Sequence, residues 1–441
     1  MKPLKYNIYF KVAIIMIIGL ILLIPAQMIR GLVYERELRQ KEAINEVSSK
    51  WGKEQTLTGP FISIPFTKYI KETDKANGTE KVVHVKDYIH ILPSELKIEA
   101  KMNPEQRNRG IYDIVVYNSK VKLKGKFPKI DPKEYDVPVG NIQFDKAYLT
   151  MGITDLRGIE EQVKLNWNSE NYLFNPGVLS YDIAGSGINS GITIIPSDSS
   201  VYSFSFDLDI KGSQFLYFTP VGKITDLDVS SSWKNPSFTG AFLPDDREVS
   251  ESGFTAHWNI LHLNRNYPQS WTGNKYMTGE SVFGVDLLLP VDNYQKTTRA
   301  IKYAILFICF TFLVFFFIEV LNKVFIHPVQ YILVGIALIV FFTLLLSISE
   351  HMSFNLAYIV SAIATLLLIA LYIKAILKNS NLTILISSIL FLLYSFIFII
   401  IQLQDYALLI GSIGIFLILA LVMYYSRKID WYNLNMREVD E

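Results

Sequence analysis

Six histidines, one cysteine and many scattered carboxylates are the side chains of this sequence with the widest chemical range. His84 and His90 stand six residues apart. On one strand they share a face, yet about 20 Å separates them at about 3.3 Å per residue, too far for one metal ion. His257 and His262, five apart, face opposite ways on a strand. The single cysteine, Cys309, excludes a disulfide within the chain and any CxxC site. A Ser-His-Asp triad has no local mark, because the GxSxG elbow, the HExxH pair and the P-loop are all missing. Asp245-Asp246 follows Pro244 and reads as a turn rather than as the paired acids of a glycosidase. Trp233, Trp258 and Trp271, with Phe238, Phe242 and Phe254, suit either a sugar-stacking platform or the aromatic core of a large domain, and the core is the simpler reading. Lys120, Lys122, Lys124 and Lys126 alternate with Val121, Leu123 and Phe127, which puts the lysines on one strand face. That face is solvated or turned to anionic lipid headgroups or envelope polymer. The expectation is a protein with no catalytic residue, cofactor or metal, hence not an enzyme.

The elements that carry these residues fall into two kinds. Six segments are apolar for the roughly 20 residues that a bilayer core about 30 Å thick demands: 12–29, 303–321, 329–348, 354–373, 382–401 and 406–425. From Tyr303 to Tyr425 the charged residues are Glu319, Lys323, Glu350, Lys374, Lys378 and Asp405. Lys2, Lys5 and Lys11, then Lys323, Lys374 and Lys378, then Arg427, Lys428 and Arg437, fall on one side when both termini are cytoplasmic. The short outer loops then carry neither Lys nor Arg. The first span also fits a cleavable signal peptide, but Ile24 is a poor −3 residue and the apolar run continues to Ile29. Tyr34, Leu38, Ile44, Val47 and Trp51 then recur at near-helical spacing, which predicts an amphipathic stalk. Glu319, Glu350 and His351 lie near span ends, where anchoring or capping competes with a proton-linked role. The span middles are Leu, Ile and Phe, a poor lining for a substrate path.

Between the first and second spans the chain has the charge density of a water-soluble domain and reads as strands. Examples are Phe61–Phe66, Val82–Val85 with Tyr88–Leu92, 121–127 and 203–210, broken by turn signals at Asn77-Gly78, Asn175-Pro176-Gly177 and Pro244-Asp245-Asp246. One stretch, 156–163, has a weak helical period. The expected fold is therefore an α-helical membrane protein of six transmembrane helices, with a large all-β, sandwich-like extracytoplasmic domain inserted between helices 1 and 2. The divisions are 1–30 for the N-terminus and first span, 31–57 for the stalk, 58–302 for the β-domain, 303–425 for a five-helix bundle and 426–441 for the tail. A net charge of +1 gives no concentrated basic surface for nucleic acid.

Several runs resemble one family. They are Trp51-Gly52-Lys53-Glu54-Gln55-Thr56-Leu57-Thr58-Gly59-Pro60, Arg109-Gly110-Ile111-Tyr112, Asp155-Leu156-Arg157-Gly158-Ile159, Ser232-Trp233-Lys234-Asn235-Pro236-Ser237-Phe238 and Gly253-Phe254-Thr255-Ala256-His257-Trp258. Arg299-Ala300-Ile301-Lys302-Tyr303, His327-Pro328-Val329-Gln330-Tyr331 and Ser347-Ile348-Ser349-Glu350-His351 continue the series at the membrane end. Together the sequence resembles the CreD family of bacterial inner-membrane proteins. The resemblance implies a retained first span, a place in the inner membrane, and a part in cell-envelope integrity or envelope-stress responses, with no reaction or cofactor to carry over. Arg109, Arg157, Trp233, Trp258, Glu350 and His351 are the candidate interaction positions. The expected partners are the lipid bilayer and an envelope protein, lipid or wall component. A glycan- or lipid-acting enzyme using Arg109, Asp155 or His257, and a transporter using Glu350 and His351, are the alternatives.

Overall fold

The computed structural model describes residues 8–73, 80–195, 201–289, 293–322, 324–403 and 406–427. Lys2, Lys5, Lys323, Asp405, Lys428, Arg437 and the Asn77-Gly78 turn signal lie outside them. The chain forms two compact units, one of Met1–Lys41 with Val291–Glu441 and the other of Glu42–Pro290.

In the first unit the helices are α1 (Ile8–Trp51, which passes into the second unit at Glu42), α2 (Asn293–Lys302), α3 (Ala304–Asn322), α4 (Pro328–Ser349), α5 (Phe354–Leu377), α6 (Ser380–Gln402) and α7 (Ala407–Ser426). All but α2 are long and apolar enough to cross a membrane, so the six expected spans are present among the described residues. Sequence reading passed over α2, a short amphipathic helix that buries Tyr294, Thr297, Ala300 and Ile301. Ordinary signals bound the others. His327 caps α4 with Pro328 at its first turn, and the Asn379 side chain accepts the first free N–H groups of α6.

In α1 the packing follows a single stripe. Ile18, Leu22, Ala26, Ile29 and Val33 are the buried apolar residues of α1, at the three- and four-residue spacing of a single helix face. Gly335 of α4 lets Leu22 approach, since a side chain there would collide with Leu22 and Phe312. At the centre Phe307, Phe341, Phe342, Tyr358 and Tyr394 meet edge-on or tilted, with ring centroids 4.6 Å (Phe307–Tyr394) to 5.8 Å (Phe307–Phe342) apart. That aromatic plug fills the bundle middle with hydrocarbon. Helix α7 has no buried residue and rests on α6, where Gly414 accommodates Phe396.

The second unit is built on strands β1 (Gln55–Thr73), β2 (Glu80–Ile91), β3 (Glu95–Arg109), β4 (Tyr112–Phe127), β5 (Tyr148–Ile153), β6 (Lys164–Trp167), β7 (Glu170–Leu173), β8 (Asn175–Pro176) and β9 (Gly187–Gly191). It continues through β10 (Tyr202–Ser213), β11 (Phe215–Thr219), β12 (Ile224–Ser231), β13 (Pro236–Gly240), β14 (Asp246–Ser250), β15 (Gly253–Leu261), β16 (Ser270–Thr272) and β17 (Phe283–Leu287). One sheet runs β13-β17-β11-β1-β5-β9-β8, with β2 on β1 and β16 on β2; the other runs β14-β15-β12-β3-β4-β10-β6-β7. Their inner faces share one core, with Ile62, Ile64 and Leu149 from the first and Leu96, Leu123, Leu208 and Trp258 from the second. Burying each of those large side chains stabilises the fold by about 1.5–3 kcal/mol. This is the expected sandwich. The stretch with weak helical period holds only a 3-10 turn at Leu156–Gly158, and Asn175-Pro176 is a short strand leading into Gly177, which takes a left-handed φ of 98°.

Candidate functional site

The family-like runs near Trp51, Arg109 and Asp155 converge on the C-terminal end of α1. Gly52 leaves the helix with its N–H on the Ser48 carbonyl, in a backbone conformation (φ 156°) where a side chain would strike the Lys211 carbonyl. Arg157 donates to the free Ser49 carbonyl at 2.6 Å, placing a cation on the negative end of the helix. The same guanidinium binds both oxygens of Asp155 at 2.9 Å, and that carboxylate also accepts from Lys53 N and Arg157 N. Burial pushes the Asp155 carboxyl up, but the hydrogen bonds from Arg157 and Lys53 outweigh it and hold it below the usual carboxylate range. Gln55 ties the Asp155 and Lys211 carbonyls together, while Arg107 stacks 3.8 Å over the Trp51 ring. Arg109 reaches both oxygens of Glu46 one turn earlier, at 3.1 and 3.3 Å. Two of the six candidate residues thus clamp a helix end to the β-unit. The stalk stripe differs from expectation, because Tyr34 and Leu38 are exposed and Ser48 is the buried position near its end.

The two candidate tryptophans are packing groups. Trp258 is fully buried and donates to the Phe242 carbonyl, with Phe238 and Phe283 against its ring; Trp233 donates to the Leu288 carbonyl. They present no stacking platform.

A triad-like chain does exist. Ser63 on β1 lies 2.9 Å from Nδ1 of His90 on β2, and Nε2 of His90 lies 2.9 Å from Asp182, which also accepts from Ser180. Cross-strand pairing supplies it, since Ser63 sits opposite both His90 and Tyr148. Sequence reading missed it, for Asp182 comes from a loop 92 residues away. Ser63 and His90 are wholly buried, so no substrate reaches the hydroxyl, and the chain satisfies polar groups beneath the 177–184 segment. Burial pushes the His90 imidazole below its ordinary range against the opposing pull of Asp182, which leaves it neutral near pH 7.

The uncovered feature of this unit is the outer face of the eight-stranded sheet. Lys97, Lys101, Lys120, Lys122, Lys124 and Lys126 stand there among Glu95, Glu99, Asp207, Asp209, Asp226 and Asp228, as the strand register requires. Lys120 pairs with Asp209, Lys124 with Glu99 and Lys126 with Glu95, so the lysine row faces water within a charge-balanced grid. Shallow hollows of about 750, 510 and 400 Å³ open along this face. His257 lies in the largest, 2.8 Å from Asp228, whose hydrogen bond raises the imidazole above its ordinary range. Arg109, Asp155 and His257 keep separate partners, and within this unit Arg109, Arg157, Trp233 and Trp258 do not form one cleft.

In the membrane unit Glu319 meets a partner that sequence spacing hides. Lys11 of α1 is bonded to Glu319 of α3, both buried, and also donates to the Ile326 carbonyl at 2.8 Å. Tyr331 donates to the other Glu319 oxygen at 3.0 Å. Glu350 lies 3.5 Å from Arg36 and accepts from Tyr294 at 3.3 Å. His351 is exposed, its backbone N–H closing the end of α4 on the Ile348 carbonyl. The first span is therefore held to the bundle by ionic contacts near Lys11 and near Arg36, and does not stand apart from it.

Six apolar helices with a two-sheet domain inserted after the first define a multi-pass membrane protein carrying one large globular unit. The chain belongs to the CreD family: the family described as "Inner membrane protein CreD" matches residues 7–432. Inner membrane protein CreD of Escherichia coli (strain K12) is 32% identical over 438 residues, covering 98% of this chain and 96% of that protein. Among solved structures, an M1 zinc metallopeptidase from Deinococcus radiodurans overlaps 48% of this chain and 53% of its own at 5% identity and a TM-score of 0.21, too slight a likeness to carry an argument.

Proposed function

We propose that this protein is a non-enzymatic component of cell-envelope maintenance or of the envelope-stress response. It resides in a bacterial inner membrane with both termini cytoplasmic, and its β-rich unit meets an envelope partner in the periplasm. The carrying observation is the outer face of the eight-stranded sheet, a broad, polar, hollowed surface that nothing within its own unit covers. The partner is a protein, lipid headgroup or wall component able to match closely mixed charges. Family membership supports the inner-membrane location, and the distribution of Lys and Arg among the short loops supports the orientation. The aromatic plug in the bundle and the partners of Glu350 favour an anchor over a conducting path.

The test is a full-length variant in which Lys120, Lys122 and Lys124 are all changed to Glu. It is expected to insert and fold, yet to leave cells that lack the native protein sensitive to detergent, where the wild-type chain restores resistance. Full restoration by the variant, or turnover of a wall or lipid substrate by the purified protein, would overturn the proposal.

A further inference from the structure

We propose that Asp226, Asp228 and His257 form a divalent transition-metal site on the open face of the eight-stranded sheet. Asp226 and Asp228 alternate on β12 and so share a face, and His257 of β15 stands directly opposite Asp228. One ligand atom from each lies within 4.8 Å of the others, so a small side-chain adjustment brings all three to about 2.0–2.2 Å from a single ion. Asn259 stands opposite Asp226, completing a two-by-two block of donor side chains, and Asp245 accepts from the Asn259 N–H at 2.7 Å beside it.

Charge balance favours a cation there. Asp226, Asp228 and Asp245 bring three carboxylates together, whereas the nearest described lysine, Lys97, lies 3.8 Å from Asp228 and is shared with Glu99 at 3.7 Å. Lys97 keeps the same distance from Asp228 as Lys120 does from Asp209, 3.8 Å, whereas Asp226 and Asp245 form no ion pair with a lysine or arginine among the described residues. An imidazole within the set separates it from an ordinary acidic patch, because a nitrogen ligand with two carboxylates suits zinc or manganese better than the all-oxygen shells of calcium and magnesium. The 2.8 Å contact between His257 Nδ1 and Asp228 is then the place where a metal ion replaces the bridging proton. Three protein ligands leave a coordination position open toward the largest hollow. This inference goes beyond the proposed function and does not depend on what the face binds.

The experiment uses the full-length protein in detergent, stripped with a chelator and titrated with Zn²⁺ or Mn²⁺ against a chromophoric competitor. One equivalent is expected to bind, with Asp228→Asn and His257→Gln each weakening it at least tenfold. Lys97→Gln, which removes the competing cation, is expected to strengthen it. Melting of the metal-free variants at the wild-type temperature shows that they are folded. Lack of stoichiometric binding, or binding that survives both ligand substitutions in folded protein, overturns the site.

Discussion

At the scale of single residues, the buried groups have the largest expected consequences. Glu319 is held by Lys11, Tyr331 and the Ile326 N–H in an apolar surround. Replacing it with Gln removes the counter-charge and leaves the buried Lys11 ammonium with neutral partners such as the Ile326 carbonyl and the Phe325 ring, at a cost of about 3–5 kcal/mol, whereas an apolar pair at both positions removes the need for charge. Glu319→Gln is therefore expected to lower the detergent-solubilised melting point sharply, and the double change Lys11→Met with Glu319→Leu to recover most of it. Equal loss in single and double variants would contradict this account of the pair. The buried His90 gives a pH dependence with a definite sign. It is neutral in the fold, while the unfolded chain takes a proton near pH 6.5. Its contribution is full above about pH 6.5 and declines as pH falls, levelling once His90 also protonates in the fold. Melts followed by the buried Trp167, Trp258 and Trp271 should show a smaller drop from pH 7.5 to 5.5 in His90→Gln than in the wild type.

At the scale of elements, the end of α1 is where sequence and structure meet most closely. Arg109 and Arg157 were conspicuous in the sequence, but their partners were not: Arg157 finds the Ser49 carbonyl 108 residues away, and Arg109 finds Glu46 across 63. Gly52 is expected to tolerate no side chain, so Gly52→Ala should destabilise the β-unit by steric conflict with Lys211 as well as by its backbone strain. Arg157→Ala should loosen the last turn of α1, because the Ser49 carbonyl and Asp155 both lose their partner. Hydrogen exchange would show faster opening of Ser48, Ser49 and Gly52 amides, and unchanged rates there would contradict the clamp. The spans were legible because charge vanishes from them, and β4 was legible because Lys and apolar residues alternate strictly along it. Other features had no such local signal. Helix α2 is a single short amphipathic segment, and both the Lys11–Glu319 pair and the Ser63–His90–Asp182 chain join distant stretches, which periodicity does not report.

At the scale of the whole molecule, the division of labour is plain from composition and packing. The membrane unit spends its interior on hydrocarbon and aromatic rings, and its ionic contacts among the described residues lie in the vicinity of Lys11 and Arg36. The other unit buries a single two-sheet core and leaves one sheet face polar and open. Recognition outside the membrane, by that face, is the central claim. Its most direct measurement is a photocrosslinking scan of the full-length protein in intact cells, with the reactive group placed in turn at Lys101, Lys122 and Thr255 on the open face and at the exposed Lys146, just before β5 of the other sheet, as a control. The account predicts one discrete envelope adduct from the three face positions, lost when Lys120, Lys122 and Lys124 are reversed in charge (scored from Lys101 and Thr255), and none from the control. Adducts spread equally over all four positions, or absent from the face, would contradict it.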